Sequence, residues 1–428
     1  MKTADAVTSF ALILIITFAL VNALPVCVAS PEPLVEWQKI YGGISGDSLV
    51  QAADGGYVIA VTFSGEQRLI KTDATGNIVW NESIGYSSIS NIVEFVVSDG
   101  FVVAQRSGDS AVAALLVKID GDGIVQWSVP YQVSDYPSYF NYATQTNDGG
   151  YVFVGGTKTP RSTIDETWIL KTGSDGDKQW NITYGNFTAS LITQAFDGSI
   201  IFAGDSGGQD PSLFITYLAK MDGVGNVLWQ KSFDNQTGCR PRSLIPTSDG
   251  GFMLAGARYL PDGSAAAFAL KTDSKGNLDW TRTFGENSGF RVVVENSDNS
   301  SYLFAGGTYN YQQNYFARLV QTNSLGAVEW QTSYSGIGNG YVYSLVQTRD
   351  DGYAFTGATS EANSTSTEIW LVKVGSNGNS TSWLFIAGAI IVAVVAASLV
   401  LILRRRKKDR FEPVDLFQKK CIIFNRKS

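Results

Sequence analysis

One twelve-residue phrase recurs through the chain at intervals of about fifty residues. It reads LIKTDATGNIVW at 69–80, LVKIDGDGIVQW at 116–127, ILKTGSDGDKQW at 169–180, LAKMDGVGNVLW at 218–229, ALKTDSKGNLDW at 269–280 and LVQTNSLGAVEW at 319–330. A period of that size confines the chain to a stacked or ringed array of one supersecondary unit. The unit is legible in RSLIPTSDGGFMLAGARYLPDGSAAAFALKTDSKGNLDWTRTFG (242–285). SLIPT is a short β-prone run, SDGG a tight turn, GFMLAGA a returning strand, AFALKTD a third strand, SKGN a second turn and LDWTRTF a fourth strand. With 44 Gly and three Met, composition also favours many short strands over helices.

Four antiparallel strands per unit is the content of one propeller blade. The first turn marks seven units, at Asp54, Asp99, Asp148, Asp197, Asp249, near Asp298, and at Asp350. The phrase itself occurs six times with its tryptophan and once, as LVKVGSNGNSTS (371–382), without it. There Ser382 stands where the tryptophan belongs, and the missing strand sits at the other end, in VEWQKIYGG (35–43). Trp37 is therefore expected to complete the last blade, with 35–41 pairing 369–375 and removing the open edge. The fold class is all-β: a seven-bladed β-propeller of four-stranded blades closed by the N-terminal strand, plus one C-terminal transmembrane helix. Trp37, Trp80, Trp127, Trp180, Trp229, Trp280 and Trp330 read as structural residues filling the gaps between blades. Asp73, with Gly76 and Asn77, reads as the cap of the three–four turn. The lysines at 71, 118, 171, 220, 271 and 373 read as solvated stems or as ion pairs with the aspartate two residues on.

KTDATGNIVW and its copies resemble the repeat of the quinoprotein-like (PQQ-like) propellers, in which a tryptophan follows a turn glycine by four residues. They resemble more closely the Asp-Gly-Gly-Tyr and Lys-Thr-Asp-x-x-Gly-Asn repeats of membrane-anchored surface propellers in archaea and bacteria. The resemblance spans nearly all of 35–379. It implies the propeller fold; the activity is left open, because propellers host unrelated functions. PQQ-dependent dehydrogenases of that family use eight blades, calcium, a catalytic aspartate and often adjacent cysteines. This chain has seven blade signals and, within the expected ectodomain 32–379, the single cysteine Cys239. Sialidase-like propellers carry a related Asp box, but the Asp-to-Gly gap here is one residue longer, and the sequence shows no arginine cluster for a carboxylate.

The ends set the expected topology. An apolar run, SFALILIITFALVNA (9–23), precedes small residues at Ala23 and Ala29 and reads as a secretory signal peptide over 1–29. The alternatives are a retained membrane helix and, at LPVC (24–27), a lipoprotein site. WLFIAGAIIVAVVAASLVLIL (383–403) is long and apolar enough to span a bilayer, and RRRKKDR follows it. The positive-inside rule then places the tail 404–428 in the cytoplasm and the propeller, 32–379, outside, with a stalk and membrane helix over 380–403. The tail carries ten Lys/Arg against three Asp/Glu, about +7; the exported part carries 21 basic and 35 acidic residues, about −14. An acidic exterior argues against a nucleic-acid partner. Asn81, Asn181, Asn186, Asn235, Asn299, Asn363 and Asn379 begin sequons consistent with an exported glycoprotein.

The chain has no histidine, which removes the usual general base and the usual zinc ligand. DGDG (120–123) and SDGD (174–177) lack the spacing of a calcium cage and read as turns. No catalytic residue, metal or cofactor is expected. The two–three and four–one loops, on the face opposite the repeated turns, vary in length and are rich in Tyr and amides. Tyr136, Tyr139, Tyr309, Tyr311, Tyr315 and Tyr341 are the candidate ligand-binding residues there. The expectation is a cell-surface propeller for non-enzymatic recognition of an extracellular protein or glycan, held in the membrane by one helix. The alternative is an exported propeller enzyme, a glycan hydrolase or lyase or a quinoprotein-like oxidoreductase.

Overall fold

The structure, a computed structural model, describes residues 32–376 apart from 64–65, 86–99, 107–113, 133–137, 158–165, 186, 208–209, 234–237, 310–314, 362–363 and 365. The apolar runs at 9–23 and 383–403 and the basic tail lie outside the described residues. Among those described, no helix is long and apolar enough to cross a membrane.

Seven antiparallel sheets form, six of four strands and one of three. Blade 5 runs Cys239–Pro246, Phe252–Tyr259, Ala265–Thr272 and Leu278–Glu286, each strand pairing with the next. Blade 2 shows Gly100–Arg106, Ala114–Asp120 and Val125–Tyr131; the segment before it, with Asp99, lies outside the described residues. The second and third strands are apolar on both faces, as expected of strands sandwiched between neighbouring sheets. Phe252–Tyr259 and Ala265–Thr272 are buried almost throughout, whereas the fourth strand is mostly open to water. Seven apolar clusters result, each joining one blade to the next around the ring. In one, Met253, Ala255 and Ala269 of blade 5 meet Phe290, Phe304 and Val320 of blade 6.

Six of the tryptophans, Trp37, Trp80, Trp127, Trp180, Trp229 and Trp280, each bear on the turn glycine of the following blade. A Cβ at Gly276, whose φ is +75°, would stand 2.7 Å from the Trp229 ring, and the same contact joins Trp37 to Gly76 and Trp280 to Gly326. Trp80 Nε1 also donates to Gly121 O at 3.0 Å, and Trp180 Nε1 to Gly223 O at 3.1 Å. Six of the seven rings are only half-buried, because they plug the outer rim; Trp330 is enclosed. A tyrosine four residues on, on the same strand face, supports the contact: Tyr41 Oη donates to Gly76 O at 2.6 Å, and Tyr131 Oη to Gly176 O.

The repeated lysines correct the expectation from the sequence. Lys71, Lys171, Lys271 and Lys373 are only 2–5 % exposed, and their partners are Asp54, Asp148, Asp249 and Asp350 of the other turn, at 2.7–2.9 Å. Lys71, Lys171 and Lys271 also donate to the backbone oxygen of the next residue at 2.8–2.9 Å. The aspartate two residues on is already occupied. Asp73 Oδ1 accepts from the N–H groups of Thr75 at 2.8 Å and Asn77 at 2.9 Å, and Oδ2 accepts from Asn77 Nδ2 at 2.9 Å. Asp120 likewise caps its own turn, through the N–H groups of Asp122 and Ile124, so DGDG is a turn.

The ring closes as the missing tryptophan implied. Val35–Tyr41 pairs antiparallel with Glu368–Val374, Trp37 opposite Lys373 and Tyr41 opposite Ile369. Lys373 reaches Glu36 of that strand at 3.3 Å as well as Asp350, and Trp370 Nε1 donates to Gln38 Oε1 at 3.0 Å.

Trp229→Ala should lower stability by about 2–3 kcal/mol, less than the roughly 3–5 kcal/mol of a fully enclosed aromatic. Trp37→Ala should cost a similar amount in chemical denaturation, although Trp37 lies at the far end of the chain. A Trp37 variant as stable as the parent would show that closure contributes nothing.

With Lys220 and Asp197, paired at 2.7 Å, the Lys–Asp clamps number five among the described residues and predict an acid transition. Partial burial opposes ionisation of Asp148 and Asp197, but hydrogen bonds from the paired lysine, a neighbouring hydroxyl and a backbone N–H outweigh it and bring both carboxyls to about 2. Asp54, Asp249 and Asp350 shift the same way. A depressed folded pKa gives stability that is present above the unfolded value, about 4, and is lost as pH falls through the folded one. The melting temperature should therefore drop between about pH 4 and pH 2. Replacing Asp148 and Asp197 by Asn should flatten that drop; an unchanged slope would sink the assignment.

Candidate functional site

Six inner strands, one from each blade other than blade 2, surround the axis among the described residues, and each contains a β-bulge. The extra residue is Asp47 in blade 1, Asn141 in blade 3, Ser190 in blade 4, Arg242 in blade 5, Arg291 in blade 6 and Tyr343 in blade 7. A bulge places two residues opposite one, bends the strand and re-aims a side chain. All six extra side chains line one cavity of about 480 Å³, together with Ser45, Thr62, Leu191, Arg240 and Pro241. The bulges fall in the halves of the strands nearer the four–one loops, so the cavity lies toward the variable face.

Glycines in the second strands permit the bulges. Gly155, Gly204, Gly256, Gly306 and Gly357 lie opposite the bulged positions. A Cβ at Gly306 would overlap the carbonyl oxygen of Gly289 on the inner strand, and the other four meet the equivalent oxygen. Blade 1 instead has Gly46 on the inner strand, facing Val61.

The cavity carries more positive than negative charge. Arg240 is engaged, with Nε 3.4 Å from Asp205 and its guanidinium 5.9 Å from the centre of the Phe214 ring. Arg242 Nη2 donates weakly to Tyr259 Oη at 3.4 Å, and Arg291 lies over Tyr343 at 5.2 Å. Among the described residues, no carboxylate lies within 4.0 Å of Arg242 or Arg291. Arg291 is exposed along the cavity wall yet has protein closely around it. Burial first, and Arg242 second, lower its pKa, while Tyr343, Tyr259 and Asp47 act in the opposite sense. Asp47 is held by Ser45 Oγ at 2.7 Å and Thr62 Oγ1 at 2.9 Å. Burial raises Asp205, against the pull of Arg240, the Gly207 N–H and Arg242.

A second cavity of about 190 Å³ shares Arg242 and Arg291 with the first and is walled by Tyr315 and Tyr341. Tyr315 and Tyr341 have ring centres 4.6 Å apart, and Tyr341 and Tyr343 lie parallel at 6.5 Å. A row of three tyrosines, from the third strand of blade 6 and the inner strand of blade 7, thus leads to Arg291. Burial, then Tyr315, raises the Tyr341 hydroxyl well above its ordinary value.

Two of the six candidate tyrosines, Tyr315 and Tyr341, come together at this site. Tyr139 packs across Gly156 of its own blade. Tyr309 pairs through its backbone with Tyr315, and Tyr136 and Tyr311 lie outside the described residues. The arginine cluster that the sequence did not reveal is present: Arg240, Arg242 and Arg291 come from two blades and meet at the axis. Their signal was the second-strand glycine, since an isolated Gly inside a strand marks a bulge. Among the described residues no group of His, Cys, Asp and Glu is arranged to hold a metal ion. Cys239 is buried, and burial pushes its thiol up to about 12.

No protein-family model matches the sequence, and no curated protein matches it. A solved structure of a protein from Lactobacillus plantarum, a target of the Northeast Structural Genomics Consortium, aligns with a TM-score of 0.46 and 14% identity, covering 67% of this chain and 84% of that one. The fold of this chain stands on its own strand pairing.

Gly306→Ala should cost about 1–3 kcal/mol, the range for overpacking a filled site. Arg291→Gln should leave the melting temperature unchanged or raise it, since it relieves repulsion with Arg242. A marked loss of stability in Arg291→Gln would make the arginine a structural residue.

Proposed function

We propose that this chain is a membrane-anchored cell-surface β-propeller that recognises an extracellular ligand, protein or glycan, through its variable-loop face without transforming it. The observation that carries the reading is the non-repetition of the bulge residues. Turn aspartates, clamp lysines and rim tryptophans recur from blade to blade and serve the fold. The structurally equivalent bulge position is occupied by Asp, Asn, Ser, Arg, Arg and Tyr, so the ring forms one polar, asymmetric cavity from a symmetric scaffold. Concave sites of about 300–1,000 Å³ with a few converging polar groups suit ligand binding. The membrane context rests on the apolar runs at 9–23 and 383–403 and on the basic tail; the PQQ-like character of the repeat rests on the phrase itself.

Among the described residues, Asp47 is the one carboxylate lining the larger cavity, and the nearby Asp205 is tied to Arg240. This favours recognition over a glycosidase reading, which needs two carboxyl groups across a substrate.

Two arms test the proposal on the full chain. In intact cells a membrane-impermeant maleimide should label Cys421 only after permeabilisation, and Cys239, being buried, should stay silent in the folded protein. Labelling of Cys421 in intact cells would place the tail outside. On glycan and protein arrays, the detergent-solubilised chain should bind a ligand that Tyr341→Ala weakens by about 2 kcal/mol or more, roughly thirtyfold. Gln194→Ala, on the opposite face, should leave that affinity alone. Loss of binding with Gln194→Ala and not with Tyr341→Ala would move the site to the repeated-turn face.

A further inference from the structure

Arg242 and Arg291 line the same cavity from adjacent inner strands, and among the described residues neither has a carboxylate partner. Two guanidinium groups held near each other repel, and the usual reason for tolerating this is an anion that binds between them. The rest of the lining narrows the choice. Among the described residues, three arginines face Asp47 in the cavity and Asp205 beside it, a balance of a single positive charge, which suits a monoanion better than a polyphosphate. Asn141, Ser45, Ser190 and Thr62 offer neutral donors and acceptors suited to hydroxyl groups. Tyr343 and, beyond it, Tyr341 supply flat apolar faces next to the arginines. A planar carboxylate matches the guanidinium fork, and a ring bearing several hydroxyls matches the remainder.

We infer that the axial cavity binds an acidic sugar of the hexuronic type, its carboxylate held by Arg242 and Arg291 and its ring resting against Tyr343. The inference rests on the recognition reading above and names the ligand class for the same site. Burial and Arg242 already depress the Arg291 pKa, so a bound carboxylate would stabilise both cations. The propeller that carries this site is acidic, about −14 for the exported part, so a polyanion would be repelled from most of its surface and accepted only at the axis. Bulk acidity and local positive charge together would select for one end or one exposed residue of an acidic glycan.

The test uses the full chain in neutral detergent and, as probes, glucuronate, galacturonate and mannuronate, each beside its neutral methyl ester, followed by ligand-detected magnetic resonance and by thermal shift. At least one acid should bind tenfold or more tightly than its ester, and its affinity should fall as salt rises. Arg242→Gln and Arg291→Gln should each weaken that acid tenfold or more and bring it to the level of the ester. Tyr343→Leu should weaken acid and ester by similar factors. Folding is read separately from the melting temperature without ligand, which the arginine changes should not lower. Equal binding of acid and ester, or acid binding untouched by both arginine changes, would overturn the inference. So would displacement of the acid by inorganic sulfate, or by a glutamate-rich peptide, at equal or lower concentration, because the site would then select an anion or a protein segment and not a sugar. If array ligands depend on Tyr341 and yet ignore both arginines, the recognition reading survives and the acidic-sugar assignment alone fails.

Discussion

The contact between a rim tryptophan and the turn glycine of the next blade, made six times among the described residues, is the constraint on which the ring depends. A four-stranded sheet with two apolar faces cannot stand alone in water, so each blade must bury both faces against neighbours. The apolar clusters supply that burial, but they are slippery surfaces with little angular preference. The tryptophan adds direction. Its ring packs against a glycine with φ near +80° and, in several blades, its Nε1 donates to a carbonyl of the same turn. Each blade is thereby registered to the next at the outer rim, while the inner strands meet at the axis. Trp37 on Gly76 completes the circuit between the two ends of the chain.

A Lys–Asp clamp acts within the blade at the same end of the strands, in five blades among the described residues. The lysine crosses beneath the Asp-Gly-Gly turn, and at Gly251 a Cβ would stand 2.6 Å from Lys271 Nζ, so the second glycine is where the lysine passes. The aspartates are more than half exposed, and such pairs contribute modestly to stability. Their stronger effect is geometric. They tie the one–two turn to the third strand in nearly every blade, which leaves the variable loops as the parts of the molecule free to differ.

With the repeated turns committed to holding the ring, the axis is the place where sequence can vary at small cost. A bulge takes its extra residue out of the ladder, so that residue owes nothing to strand pairing. Glycine in the neighbouring strand absorbs the close approach. The result is a set of equivalent positions pointing at one another, filled by residues of unlike chemistry. The cationic cavity inside an acidic disc follows from that freedom and from no overall property of the chain.

The repeat, the blade count and the non-covalent closure were legible in the sequence because each rests on local chemistry that is printed again and again: a turn, a period of two and a tryptophan at a fixed offset. Tyr315 and Tyr341 read from the sequence as loop aromatics, whereas the structure sets them in the strands Tyr315–Asn323 and Asn339–Gln347, because the pairing in blades 6 and 7 runs further than the repeat shows. The Lys71–Asp54 pairing was not legible, since Asp73 is nearer along the chain and only the folded turn shows both its oxygens already taken. Nor was the meeting of Arg242 with Arg291, which are forty-nine residues apart and appear in the sequence as two unremarkable polar positions in two strands. Period-two alternation says which face of a strand a residue occupies, and a bulge breaks that alternation at the position that matters. Which side chains converge on the axis was therefore decided by the closed ring, where a register shift in each blade turns separate strands toward one centre.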